Sequence, residues 1–325
     1  MTISYAHPAE GFEKGQLVCS GCSGLIEFFE LSPLSVVTCP NCATQNLVPQ
    51  KIGKYWLYHP LAVGGMGAVY KAYREGEPDV FYAVKILPRQ ERDNPTLIAN
   101  LKAEIQVLQD IGNFPGIVYS TDSGFEDNEY YLATRFVDGE SLDERIMRLG
   151  KLAETEVLFV ALRILAAEHH IYSRGYLYRD LKPENILFSP EEGCFLCDFG
   201  ICMHINEAGR VDTGDMIQGS PLYLPPERLL GEGEDVYSEI YSLGLVMYHM
   251  LTGRSFFEGD DIEKIARMHV EPPPLAYYNE RLGQLAPDLA RVIAKMIRRE
   301  PKDRYQTFLE VERDLFLIQT NRLFG

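Results

Sequence analysis

Two short polar motifs, each set beside an apolar run, constrain this chain more than any other stretch. The first is Tyr178-Arg179-Asp180-Leu181-Lys182-Pro183-Glu184-Asn185, which leads into Ile186-Leu187-Phe188. The second is Asp198-Phe199-Gly200, which follows Cys194-Phe195-Leu196-Cys197. Apolar runs this short, bounded by polar and turn residues, read as short buried strands. Strand ends that carry such motifs bring two carboxylates and a carboxamide close together. Asp180 can take a proton, and Asn185 and Asp198 offer the oxygen ligands that a hard divalent cation prefers.

The two motifs, in this order and eighteen residues apart from Asp180 to Asp198, resemble the catalytic and metal-binding loops of the eukaryotic-type (Hanks-type) protein kinases. The resemblance implies that Asp180 accepts or orients the substrate hydroxyl's proton. It implies that Lys182 stabilises charge on the transferring phosphoryl group, and that Asn185 and Asp198 hold Mg2+. Lys182-Pro183-Glu184-Asn185 is similar to the Ser/Thr branch of the family. Phosphoryl transfer rests on positioning and charge neutralisation, so this set needs no covalent nucleophile. Tyr178 stands where many members have His.

Upstream, Leu61-Ala62-Val63-Gly64-Gly65-Met66-Gly67-Ala68-Val69 is glycine-rich, and such a turn lets backbone N–H groups approach phosphates without a Cβ in the way. It resembles the family's glycine loop at Gly64, Gly67 and Val69, with Ala62 in place of the first glycine. Val80 to Leu87 is strand-like by its β-branched and aromatic content, and Ala83-Val84-Lys85 resembles the family's third strand, with Lys85 on the ATP phosphates. Leu97, Ile98, Leu101, Ile105 and Leu108 recur at helical spacing, and Glu104 on that face needs a partner; the resemblance makes it the helix C glutamate that positions Lys85. Residues 128–139 are similar to the last strand of the small lobe and the hinge, with Thr134 as gatekeeper and backbone groups of Arg135 and Val137 facing adenine. Ala62, Ala83 and Leu187 complete the implied nucleotide site.

Residues 201–224 resemble the activation segment, and Thr213 is an expected autophosphorylation site whose phosphate would pair with Arg179, the residue before Asp180, and order the loop. Gly219 to Glu227 resembles the element that admits Ser/Thr substrates through Ser220, with Pro225 for the usual Ala. Arg304 is the implied buried partner of Glu227. Glu239 stands where the family has an Asp that holds the catalytic loop backbone. Ala62 and Glu239 support the alternative of a pseudokinase scaffold or partner-binding module. Cys194 and Cys197, three apart in a strand, face opposite sides and read as buried thiols; His169 and His170 read as structural.

Four of the seven cysteines fall in Cys19-Ser20-Gly21-Cys22 and Cys39-Pro40-Asn41-Cys42, the spacing of a four-thiolate zinc site. Leu25 to Leu31 and Val36 to Thr38 are apolar enough for strands, which makes residues 1–50 a small zinc-ribbon-like segment. Ala43 to Gly53, with Pro49, reads as a linker. Three lysines against four glutamates leave residues 1–54 at −1, so docking, self-association or partner binding fits this segment better than reading nucleic acid.

The fold class expected is α+β: a two-lobed kinase fold over 51–325, with a β-rich N-lobe (55–137) carrying helix C and a mainly helical C-lobe (138–320), and ATP in the cleft. A formal charge of −16 argues against a nucleic-acid partner. No apolar run reaches the length of a membrane span, and the N-terminal stretch carries no basic-then-apolar signal pattern. The expectation is a cytoplasmic enzyme acting on Ser/Thr hydroxyls of proteins.

Overall fold

The structure, a computed structural model, describes residues 8–64, 67–208, 219–259 and 261–324. Two compact units divide the chain: Met1–Gln106 with Tyr119–Phe136, and Val107–Val118 with Val137–Gly325.

The first unit opens with helix α1 (Pro8–Glu13). Two antiparallel hairpins follow, β1 (Gln16–Val18) with β2 (Leu25–Glu27) and β3 (Val36–Thr38) with β4 (Gln45–Leu47). Each hairpin carries one of the cysteine pairs in its turn. A six-stranded antiparallel sheet comes next. It contains β5 (Gln50–Ile52), β6 (Tyr55–Gly64), β7 (Gly67–Arg74), β8 (Glu77–Ile86), β9 (Ser120–Glu126) and β10 (Glu129–Arg135), in the order β5-β6-β7-β8-β10-β9. Helix α2 (Pro95–Ile111) joins β8 to β9.

The stretch expected to be linker is not one. Ala43 to Gly53 holds β4 and β5, with Val48 and Ile52 fully buried. Val48 exchanges main-chain hydrogen bonds with Leu34 and Ser35, and β5 pairs with β6 from Gln50↔Leu57 to Ile52↔Tyr55. Two apolar side chains and an unsatisfied strand edge were enough to order a segment whose composition reads as loop.

Alternation along β6 explains how the unit is built. Successive strand residues point to opposite faces. Tyr55 and Leu57 pack with Ile52, Ala72, Tyr82 and Val84. Trp56 instead joins Phe12, Leu17, Ile26, Phe28, Cys19, Cys39 and Val48, with Tyr58 and Tyr73 against them. The Trp56 ring lies 5.7 Å from Phe12 and 6.5 Å from Phe28. The cysteine-bearing hairpins therefore dock on the sheet through the chain's one tryptophan.

Among the described residues the second unit has five short strands, β11 (Glu140–Ser141), β12 (Tyr176–Leu177), β13 (Ile186–Ser189), β14 (Gly193–Leu196) and β15 (Met203–His204). Its body is helical: α3 (Leu142–Leu149), α4 (Glu154–Ser173), α5 (Ile205–Ala208), α6 (Pro226–Leu229), α7 (Val236–Thr252), α8 (Ile262–Val270), α9 (Leu275–Leu282), α10 (Pro287–Met296) and α11 (Phe308–Phe324). Helix α7 is buried along nearly its whole length and packs against α4, α10 and α11. Asp235 caps its start and Gly253, in the left-handed conformation, ends it. The short helices α3, α8 and α9 had no counterpart in the sequence reading; α9 buries no residue fully, so its pattern is weak.

The Glu227–Arg304 pair ties α6 to the segment before α11. The Arg304 Nη1 and Nη2 donate to the two Glu227 oxygens at 2.7 and 2.9 Å, and its other donors reach the Arg298, Tyr237 and Arg299 carbonyls. Ser238 Oγ also donates to Glu227. Removing one partner of such a buried pair strands the other charge. Arg304→Ala is expected to cost about 3–5 kcal/mol of stability, read from urea denaturation. Trp56→Ala opens a cavity under the cysteine hairpins and is expected to cost about 3–5 kcal/mol; limited proteolysis should then release residues 8–48 before the rest of the first unit.

Candidate active site

In the second unit, the register of β13 with β14 runs from Ile186↔Leu196 to Ser189↔Gly193. It continues past the strand ends, where the Cys197 N–H donates to the Asn185 carbonyl at 3.0 Å. One hairpin thus brings Asn185 to the strand that delivers Asp198. Leu187, on β13, packs with Val118, Val137 and Phe195.

Asp180 is buried, and two side chains of its own loop hold its carboxylate. Lys182 Nζ donates to Oδ2 at 2.9 Å and Asn185 Nδ2 at 2.7 Å. Asn185 Nδ2 also reaches the Asp180 carbonyl at 3.0 Å. With its nitrogen committed in this way, the Asn185 amide has its oxygen to offer a cation. Asp198 has φ of +60°, in the left-handed region, and its Oδ1 accepts the Gly200 N–H.

The loop backbone is gripped at Arg179, whose φ of +69° is costly for a side-chain-bearing residue. Its N–H donates to Glu239 Oε1 at 2.9 Å, and its carbonyl accepts from Arg228 Nη1 at 2.6 Å. The extra methylene of Glu239 does not break the anchor. The Arg179 guanidinium donates to Glu234 Oε1 from Nε at 3.0 Å and Nη2 at 2.7 Å, and Arg228 Nε donates to Glu234 Oε2 at 2.7 Å. Burial pushes the Glu234 carboxyl up, but the Arg228 and Arg179 charges outweigh it and hold it below the usual carboxylate range. The group that was expected to receive an activation-segment phosphate is therefore already paired; Thr213 itself lies outside the described residues. Tyr178 is buried, donates to the Cys197 carbonyl and meets Phe199 edge-on at 5.4 Å. A hydroxyl donor thus stands in the place of the family's imidazole.

In the first unit, β6 and β7 pair as far as Ala62↔Val69 and Gly64↔Gly67. A Cβ on Gly67 would lie 2.7 Å from the Ile86 carbonyl oxygen, so only glycine fits there. Lys85 Nζ donates to Glu104 Oε2 at 2.8 Å, and both side chains are largely buried. Thr134 Oγ1 donates to the Ala83 carbonyl at 3.3 Å. The Arg135 N–H is held by the Tyr119 carbonyl at 3.2 Å, so a ligand at that position would meet its carbonyl.

The four N-terminal thiols also converge. All four Sγ atoms lie within 4.8 Å of one another, with Cys19–Cys42 and Cys22–Cys39 each at 3.6 Å. The two turns repeat one geometry: the Cys19 N–H reaches the Gly24 carbonyl as the Cys39 N–H reaches that of Thr44. Ser23 and Ala43 take left-handed φ at the equivalent place. A disulfide needs about 2.0 Å between sulfurs. Four ligands at about 2.3 Å from a tetrahedral ion stand about 3.8 Å apart, which these separations fit. The Gly21 N–H and Asn46 Nδ2 donate toward Cys19 Sγ at 3.4 and 3.5 Å, as donors to a thiolate would.

Sequence reasoning missed Glu234, Arg228 and Glu168. Glu168 was within reach: it lies three and four residues beyond Leu165 and Ile164 on the buried face of α4. Glu234 and Arg228 carry no such period, because one lies in a loop and the other in a four-residue helix too short to show a repeating face.

The protein kinase domain family matches residues 55–316. A probable serine/threonine-protein kinase of Clostridium perfringens is 31% identical over 267 residues, 82% of this chain and 38% of its own length. The serine/threonine-protein kinase PknD of Mycobacterium tuberculosis is 31% identical over 265 residues, 81% of this chain and 40% of its own. PrkC of Bacillus subtilis, also a serine/threonine-protein kinase, matches at 31% over 265 residues with the same shares. The chain spans about two fifths of the length of these relatives. Among the described residues no helix is long and apolar enough to cross a membrane. A carboxylate held by its own loop's lysine and asparagine, a buried lysine–glutamate pair and a family match over four fifths of the sequence agree: the chain belongs to the protein kinase domain family.

Proposed function

We propose that this protein is a serine/threonine protein kinase that transfers the ATP γ-phosphate to Ser or Thr hydroxyls of protein substrates, its own chain included. The observation that carries the reading is the Asp180 carboxylate held between Lys182 and Asn185. Asp180 orients the acceptor hydroxyl and takes its proton. Lys182, already on that carboxylate, meets the negative charge that develops on the phosphoryl group. Lys85, fixed by Glu104, holds the α- and β-phosphates. The Asn185 oxygen and Asp198 hold Mg2+, which neutralises phosphate charge when bound. Gly64, Gly67, Ala62 and Val69 cover the phosphates, and Ala83, Leu187 and backbone groups of Arg135 and Val137 bound the adenine site. These roles are supported by the ion pairs and by the names of the relatives.

The same reading gives Cys19, Cys22, Cys39 and Cys42 a structural zinc ion. The support is four thiols at tetrahedral spacing with N–H donors beside them. The zinc-bearing segment then works as a docked module on the sheet, a setting for partner binding or self-association.

Two measurements test this. Incubation with Mg-ATP should raise the intact mass by whole phosphate units, and Asp180→Asn should abolish the gain; equal masses with and without ATP, in the presence of a basic protein acceptor that also stays unmodified, would remove the kinase assignment. Purified protein should contain about one zinc ion per chain. Its removal by a chelator should shift Trp56 emission to the red, because the hairpins that shield the indole lose their metal.

A further inference from the structure

Glu168 on α4 and Glu239 on α7 are both only 2% exposed. Their helices pack together, and the two carboxyl groups interact directly. Glu239 Oε1 accepts the Arg179 N–H. Neither Glu168 oxygen meets an N–H or O–H donor among the described residues. An ionised carboxylate cannot stay buried without a donor, and two ionised carboxylates cannot stay side by side. A single proton resolves both difficulties, because a protonated carboxyl becomes an O–H donor to its neighbour.

We propose that Glu168 is a positioning residue: it holds one proton against Glu239 and, through that carboxylate, fixes the Arg179 N–H and the loop that carries Asp180. Glu239 has two oxygens and two tasks, one toward Arg179 and one toward Glu168. This accounts for a glutamate where the family carries the shorter aspartate, since its partner comes from α4.

The surroundings agree. Burial first, then the Glu239 charge, push the Glu168 carboxyl well above its ordinary range. Burial raises Glu239 to about 7 against the pull of Arg228. The charged groups facing the pair are Arg179, Arg228 and Glu234, already joined to one another. The Glu227–Arg304 pair closes on Ser238, one residue before Glu239. Helices α10 and α11, which pack on α7 and α4, bury Leu289, Val292, Ile293, Val311, Leu315 and Ile318. Strands β12 and β14, also packed on α4, bring Tyr176 and Cys194. The cations on these helices, Arg163 on α4, Arg291 and Lys295 on α10 and Arg313 and Arg322 on α11, donate to neither Glu168 oxygen among the described residues.

The sign follows from raised ionisation. The proton on Glu168 is present at low pH and leaves only as pH rises well above the ordinary carboxyl range. Two charges then repel and the anchor loosens.

The proposal rests on the kinase reading only for its rate measurement. With the full chain, kcat for phosphorylation of a basic protein should fall on the alkaline side while KM for ATP holds. Glu168→Leu should lower kcat on the order of 10- to 100-fold. Glu168→Gln, whose amide N–H donates without titrating, should restore kcat and remove the alkaline fall. Infrared spectra should show a buried protonated carboxyl in the parent protein that is missing in Glu168→Gln. Alkaline profiles that superimpose for the parent and Glu168→Gln, or no difference in the carboxyl band, would overturn the proposal. A parent protein that phosphorylates nothing would sink the kinase reading alone, and the infrared band would still decide the shared proton.

Discussion

The main chain at Arg179 is held at both ends, and the site depends on that grip. Its N–H goes to Glu239 and its carbonyl to Arg228, while its guanidinium closes on Glu234. A residue at φ of +69° would relax without such partners. Because they come from α6, α7 and the loop between those helices, the conformation of a polar loop is set by the buried helix α7 and its approach. Asp180 follows directly, so its direction is inherited from that anchor. The ion cluster costs desolvation, and it is tolerated because each charge has a near partner and each donor an acceptor.

The first unit solves a different problem. A sheet with apolar residues on both faces must cover both. Alternation along Tyr55-Trp56-Leu57-Tyr58 sends two side chains into the sheet's own core and two toward the cysteine hairpins. The hairpins are too small to bury a core of their own, so their aromatic residues, Phe12 and Phe28, use Trp56 as a floor. Cys19 and Cys39 sit within that same cluster. A metal held by the thiols would therefore be coupled mechanically to the sheet that carries Lys85, through side-chain packing and not through a tether.

Much of the fold was legible from residues. The strand pair around Asn185 and Asp198 came from two apolar runs, and α2 came from helical spacing that the structure keeps. The cysteine spacing anticipated two matched turns. What escaped notice has a common cause. The stretch from Ala43 to Gly53 looked like a linker because its few apolar residues show no period; it became strand because a neighbouring edge was available. The short helices α3, α8 and α9 are held by caps and packing more than by propensity.

The residue types in Tyr178 to Asn185 and Asp198 to Gly200, with Lys85 and Glu104, were sufficient by themselves to set the family and the chemistry it implies. Sequence also determined which strand residues share a face, since the period of two is a property of extended backbone. It did not determine which charges meet. Lys85 with Glu104 and Glu227 with Arg304 were anticipated only through resemblance; Glu234 with Arg179 and Arg228, and Glu168 with Glu239, were not anticipated at all. Electrostatic pairing acts through space over a few ångströms and leaves no periodic trace along the chain. Whether a glutamate is a solvated surface charge or a buried acid is decided only when helices such as α4 and α7 come together and exclude water.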